Sequence, residues 1–205
     1  MISVLPYLEA GNVHGMGGGG AGPLRAGALG RMLQTPVPVL VCPSRRGVEL
    51  QPFLGQFSLH NTTKPTLAFK SHYAGCGGDV QLRNGEGPQD DSSAALSASP
   101  WPHSKASGVF FAGSRIRTAD ITDGLSNTYL VGEKYVRMRQ AKGPEDRDFG
   151  DDQAAYIGDD RDIRRWTAEP PLRDQRDLDA PDAFGSRHPS TWNVLFADGS
   201  VRGMS

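Results

Sequence analysis

No stretch of this chain approaches the ~20 consecutive apolar residues that a membrane-spanning helix needs. Its opening, Met1-Ile-Ser-Val-Leu-Pro, also lacks the basic start and the apolar run of about 7–15 residues that mark a secretory signal. Cysteine is scarce: Cys42 and Cys76 cannot complete a structural zinc site, and the 33 residues between them match no finger spacing. No charge sign dominates either. A net charge of −1 gives no reason to expect nucleic acid or an anionic membrane surface as a partner. What is plentiful is glycine and proline, with 26 and 15 in 205 residues. Breakers at that density favour turns, short strands and irregular loops over a helical bundle. The length fits one domain, 1–205, large enough to bury a core.

Along the chain, residues 1–10 read as the tail of a helix, and Gly15 to Gly22 as a flexible connection. A helix from Pro23 to about Leu33 places Leu24, Ala28, Leu29, Met32 and Leu33 on one face. Val37–Val41 and Gly108–Ala112 read as strands, the first suited by Pro38 to an edge. Residues 79–107 are a polar surface loop. Asp120 is placed to cap a helical turn over Ile121–Leu125, with Asn127 ending it in the left-handed conformation. A longer strand then covers Thr128–Val136. Residues 137–182 hold nine basic and thirteen acidic side chains, a density that predicts a solvated, partly disordered insertion.

The C-terminal segment is the most informative. His188 is followed after nine residues by Asp198-Gly199, and Asp-Gly is the pair a two-residue type I′ hairpin demands. The reading sets Phe196 opposite Val201, with Trp192, Val194 and Phe196 on one face.

This His-x9-Asp-Gly end resembles the prepilin-type processing-associated H-X9-DG domain, a bacterial family of unknown function with pilin-like N-termini. Further blocks extend the resemblance: Cys42-Pro43-Ser44, Tyr73-Ala-Gly75, and Asp120-Ile-Thr-Asp123-Gly124-Leu-Ser126-Asn127 running on to Gly132-Glu133. Leu5-Pro6-Tyr7-Leu8-Glu9 resembles a segment normally found well inside such chains, so a missing N-terminal piece is expected. The resemblance implies an α+β pilin-like head, with N-terminal helical material packed on a mainly antiparallel sheet. It also implies a cell-envelope or extracellular location, with other pilin-like subunits or envelope components as partners. No membrane contact is expected from the sequence as written. Such a location would permit a disulfide between Cys42 and Cys76, with two unpaired thiols as the alternative.

No catalytic set emerges. Ser44, Ser126 and Ser186 sit in no Gly-x-Ser-x-Gly setting. His72 with Cys76 fits a tight loop better than a thiol protease, and the glycines at 17–20 lack the Lys-Ser/Thr of a phosphate loop. An enzyme would require His188 within hydrogen-bond reach of a cysteine or serine in a cleft. Asp198 and Gly199 are accounted for by turn chemistry, and Asp120, Asp123, Gly124, Ser126, Asn127 and Glu133 by caps and turns, so no metal or cofactor is assigned. Gly150-Asp151-Asp152 and Gly158-Asp159-Asp160 read as solvated acidic loops. Trp192 reads as core, whereas Trp101 and Trp166 fall in polar loops where an exposed indole can anchor a partner. The expected function is therefore a structural or surface-display protein without catalysis. The alternative is an exported solute- or glycan-binding domain.

Overall fold

Five short strands make the central sheet. The computed structural model describes residues 2–18, 22–59, 62–82, 105–138 and 143–205. β3 (Tyr73–Cys76) pairs antiparallel with β4 (Tyr129–Glu133), which pairs antiparallel with β8 (Trp192–Phe196). β9 (Val201–Met204) closes one edge against β8, and β5 (Arg164–Arg165) lies parallel to β3 at the other. Two small ribbons flank the sheet: antiparallel β1 (Gln51–Pro52) with β2 (Leu67–Ala68), and parallel β6 (Leu172–Arg173) with β7 (Gly185–Ser186).

The fold is mainly β, which overturns the expected α+β pilin-like head with N-terminal helices on the sheet. Helix α1 (Gly11–Met16) has six residues, and α2 (Gly22–Met32) buries only Gly30 and Met32. Residues 2–8 form a 3-10 run. These segments bury Leu5, Val13, Met32 and Leu33 with Phe53, Phe69 and the 154–156 loop, in a cluster of their own. The sheet has a separate core of Ala74, Cys76, Phe184, Trp192, Val194 and Phe196. Two short helices with glycines at 22, 27 and 30 offer too narrow an apolar stripe to cover a five-stranded sheet.

The helix at 23–33 and the strand after Thr128 match α2 and β4 within a residue or two at the helix and three at the strand's end. Val37–Val41 is not a strand but a 3-10 turn over Pro38–Leu40, because Pro38 at its start withholds an N–H from any ladder. Gly108–Ala112 runs through bends and turns. In the Asp120 block, two 3-10 turns, Thr118–Asp120 and Leu125–Asn127, replace the single helical turn. The positive φ falls on Gly124, at +92°, and not on Asn127.

The terminal hairpin forms, with Trp192, Val194 and Phe196 buried on one face as expected. Its register differs by one. Leu195 faces Val201, the Phe196 N–H donates to the Ser200 carbonyl, and the Gly199 N–H to the Phe196 carbonyl. The loop thus has three residues, and only Gly199 has positive φ, at +85°. This is the alternative hairpin solution, a type I turn followed by a left-handed residue, and it leaves Asp198 free to accept the Ser200 N–H at 2.8 Å. A Cβ at Gly199 would meet nothing within 4 Å, so Gly199→Val should cost only the φ strain, about 1–2 kcal/mol. Thermal melts of Gly199→Val and Gly199→Asn would check this, the asparagine variant staying nearer the parent.

The charged segment departs furthest from expectation. Asp148, Asp151, Asp152, Asp162, Arg164, Arg165 and Asp174 are all buried. Mixed charge at this density is excluded from a core only when unpaired, and here it is paired. Arg46 meets Asp151 at 2.7 Å, Lys134 meets Asp151 at 3.0 Å, and Arg147 meets Asp152 at 2.9 Å. The first Gly-Asp-Asp repeat is therefore an interior joint and not a solvated loop, whereas the second keeps Gly158 exposed and Asp159 and Asp160 half-buried.

Two carboxyls in this network should titrate abnormally. Burial, then repulsion from Asp160, raises Asp152 to about 6, and burial holds the neighbouring Asp162 well above the usual carboxyl range. Both groups bind their protons more tightly folded than unfolded. The contribution of Asp152 to stability is therefore present at low pH and falls as pH rises from about 4 through about 6, and that of Asp162 has the same sign. Carbon-13 NMR of the aspartate carboxyls should show Asp152 protonating near pH 6, while Asp151 stays ionised. A midpoint for Asp152 below about 4.5 would overturn this account.

Candidate functional site

Four separate sequence blocks end at one place. Cys42 follows the 3-10 turn over Pro38–Leu40, Tyr73 opens β3, Glu133 closes β4, and His188 lies in the bend before β8. Pairing of β3 with β4 sets Tyr73 opposite Glu133. The strand β8 runs beside β4, and Trp192 seals the junction by donating its indole N–H to the Glu133 carbonyl at 2.8 Å. Small residues make this approach possible. A Cβ on Gly132 would lie 2.5 Å from the Trp192 ring.

At the centre, Cys42 Sγ lies 3.7 Å from His188 Nε2, and His188 Nε2 lies 3.3 Å from Glu133 Oε1. Donor atoms of all three lie within 4.8 Å of one another. Cys42 is 3% exposed and Glu133 1%, while His188 forms the half-buried outer wall. Each is oriented from behind. The Asn193 N–H donates to Glu133 Oε2 at 2.9 Å, the Cys42 N–H donates to His72 Nδ1 at 2.9 Å, and the His188 N–H donates to Ser186 Oγ at 3.1 Å. Glu133 Oε1, though buried, receives no hydrogen bond. His188 also lines a cleft of about 340 Å³ that includes Arg173, Thr191 and Trp192.

The electrostatics keep this cluster quiet. Burial, and behind it the Glu133 carboxylate, push the Cys42 thiol above its usual range, against a backbone hydrogen bond from Ser44. Burial and then Arg46 and Arg45 pull His72 down to about 3, so it stays neutral and acts as a fixed acceptor. Burial, with Cys42 and Glu133 adding to it, raises Tyr73. Arg45 itself is held by Asp174 at 2.6 Å.

The expected motif residues divide into two groups. His188, Glu133 and Cys42 converge. Asp198 lies beyond the far end of β8 from His188, where its N–H donates to the Leu125 carbonyl and its carboxylate approaches Arg202 at 3.8 Å. Gly199 completes that turn. Asp120 forms an exposed pair with Arg117 at 2.9 Å, Asn127 donates to the Asp123 carbonyl at 3.0 Å, and Gly124 accepts from Thr128 at 3.1 Å. Ser126 is exposed. The block from Asp120 to Asn127 thus braces the hairpin turn. Among the described residues, neither Asp120 nor Asp123 joins Glu133 in a ligand cluster.

The disulfide does not form. Cys42 and Cys76 are both free thiols, because Cys76 belongs to the sheet core and Cys42 faces His188. Trp166, expected to be exposed, is 2% exposed with Arg164 stacked 4.7 Å from its ring centroid. It nevertheless borders a cleft of about 270 Å³ with Phe57, Phe149, Asp160 and Arg161. Trp101 lies outside the described residues.

The architecture and this knot define a mainly β domain whose separated sequence blocks are tied through a Cys-Glu-His cluster with a half-buried histidine. The chain belongs to the family described as "Protein of unknown function (DUF1559)", whose model matches residues 1–205. Comparisons with curated proteins and with solved structures returned no match.

Proposed function

We propose that this is a non-catalytic structural or surface-display domain of the cell envelope, and within its family a prepilin-type processing-associated H-X9-DG protein. The observation that supports this reading is the meeting of Cys42, Tyr73, Glu133 and His188, one from each of four blocks, at a point that fastens the sheet to the first part of the chain. Fastening is what the geometry favours. Both Cys42 and Glu133 approach the same ring nitrogen of His188, whereas a thiol–imidazole–carboxylate relay needs them on opposite nitrogens. A thiol pushed upward is also a poor nucleophile near neutrality. Other envelope components, pilin-like subunits among them, are the partners this reading implies.

The test is to tag the protein in its native host and separate envelope from cytosol. Recovery in the envelope fraction, with digestion by protease added to intact cells, is the expected result. Recovery only in the cytosol would sink the reading. Rapid alkylation of Cys42 at neutral pH in metal-free protein would instead favour thiol chemistry at the Cys42–His188 contact.

A second reading, a solute- or glycan-binding domain, draws on the cleft beside Trp166, whose indole N–H is buried without an acceptor. Oligosaccharides that shift the Trp166 indole resonance in NMR would support it. An unmoved resonance across a panel of neutral and acidic sugars would count against it.

A further inference from the structure

The Cys42, Glu133 and His188 side chains carry the three donor types that a borderline-soft divalent cation accepts: thiolate sulfur, carboxylate oxygen and imidazole nitrogen. Their separations can be compared with what such an ion would impose. Tetrahedral zinc with ordinary bond lengths holds a sulfur and a nitrogen about 3.6 Å apart, and a nitrogen and an oxygen about 3.3 Å apart. The distances here are 3.7 Å between Cys42 Sγ and His188 Nε2, and 3.3 Å between His188 Nε2 and Glu133 Oε1. Convergence of both neighbours on one imidazole nitrogen, which counts against a relay, is what a shared ion at the centre requires.

A second observation points the same way. Glu133 is 1% exposed, yet its Oε1 is aimed at the cluster and receives no hydrogen bond, while Oε2 is satisfied by the Asn193 N–H. Its neighbours are His188 Nε2 at 3.3 Å and the Cys42 thiol, and a buried carboxylate oxygen with no well-formed hydrogen bond is costly, a cost that a cation held between the three would remove. Charge also balances: one thiolate and one carboxylate neutralise a divalent ion, so the loaded cluster would be neutral. The groups behind the ligands have the form of an outer shell, with backbone N–H donors fixing the carboxylate and the imidazole-bearing segment.

We propose that Cys42, Glu133 and His188 form a zinc-type divalent metal site, with a fourth position open toward the solvent side that His188 borders. Binding the ion releases the thiol proton of Cys42, forms the sulfur–metal bond and involves no change of oxidation state. The ion would staple three segments that are distant in sequence. This inference stands apart from the envelope assignment, since it concerns a site and not a location.

Cobalt(II) reports the site directly, because a thiolate ligand gives it a near-ultraviolet charge-transfer band and tetrahedral geometry gives it strong visible bands. The full chain, stripped with chelator and titrated with cobalt, should develop both with one cobalt per chain, and added zinc should bleach them. Cys42→Ser should abolish the charge-transfer band. Glu133→Gln and His188→Ala should each weaken binding by ~10-fold or more. Cys76→Ser, in the sheet core, should leave the spectrum unchanged. Failure of the parent protein to show a thiolate–cobalt band would overturn the proposal, whatever the variants do. So would a band that persists in Cys42→Ser or disappears in a folded Cys76→Ser. The envelope fractionation is unaffected by either result, so the two readings fail separately.

Discussion

Replacing Asp151 with asparagine should lower the stability of the fold by about 3–5 kcal/mol, the largest effect expected of any single polar substitution here. Burial alone would push the Asp151 carboxyl up, but Arg46, Lys134 and Lys70 outweigh it and hold the group well below its usual range. The asparagine keeps the shape and removes the charge. Lys134, which is fully buried, would then keep only the Gly150 and Asp162 carbonyls, each at 3.0 Å, as close acceptors. Arg46, which contacts both carboxylate oxygens at 2.7 and 3.1 Å, would meet an amide N–H in place of one of them and no charge at the other. The penalty comes from stranding two cations, and this gives the prediction a second arm. Asp151→Asn with Lys134→Met should recover part of the loss, since one stranded charge is then replaced by an apolar side chain of similar length. Urea denaturation of the parent, the single and the double variant would decide it. A single variant within 1 kcal/mol of the parent would mean that the network contributes little.

Trp192→Ala should cost a similar amount, about 3–5 kcal/mol, by a different route. Trp192 is 4% exposed, packs edge-on against Tyr129 at 5.5 Å and tilts against Phe184 at 5.1 Å. Truncation opens a cavity in the smaller of the two cores, where few neighbours can collapse inward. It also removes the indole N–H that satisfies the Glu133 carbonyl. Trp192→Phe separates the two causes: most of the packing remains, and the loss should fall to about 1–3 kcal/mol, the cost of one unmet buried acceptor. If Phe and Ala prove equally damaging, the hydrogen bond and not the packing dominates.

Sequence reasoning located what depends on neighbours in the chain. Helix α2, strand β4, the alternation along β8 and the role of Asp198-Gly199 as a turn were all legible. The turn type was not, because Asp-Gly serves both the two-residue and the three-residue hairpin, and only pairing across the strands selects one. Burial of the charged segment escaped for a similar reason. Composition counts charges but cannot show that Arg46 and Lys134 arrive from elsewhere to meet Asp151. The cluster itself was half visible. His188, Glu133 and Cys42 were each singled out within a block, but as a hairpin marker, a strand end and a disulfide half. Ligand spacing rules look for neighbours, and no local pattern links positions 42, 133 and 188. His72 drew notice only for its spacing from Cys76, since a histidine serving as a backbone N–H acceptor has no sequence mark.

The contact between Cys42 and His188 joins residues 146 positions apart, and the Trp192–Glu133 bond spans 59. Closures of that length come late, because loop entropy must be met before the contact returns anything. The knot can therefore form only after the last strands have been synthesised and paired. A chain cut short before β8 would keep most of its residues but lose Trp192, Val194 and Phe196, three of the six residues of the sheet core, and the Trp192–Glu133 bond with them. Synthesis of β8 is then the event after which the sheet core exists and the molecule can become a single cooperative unit.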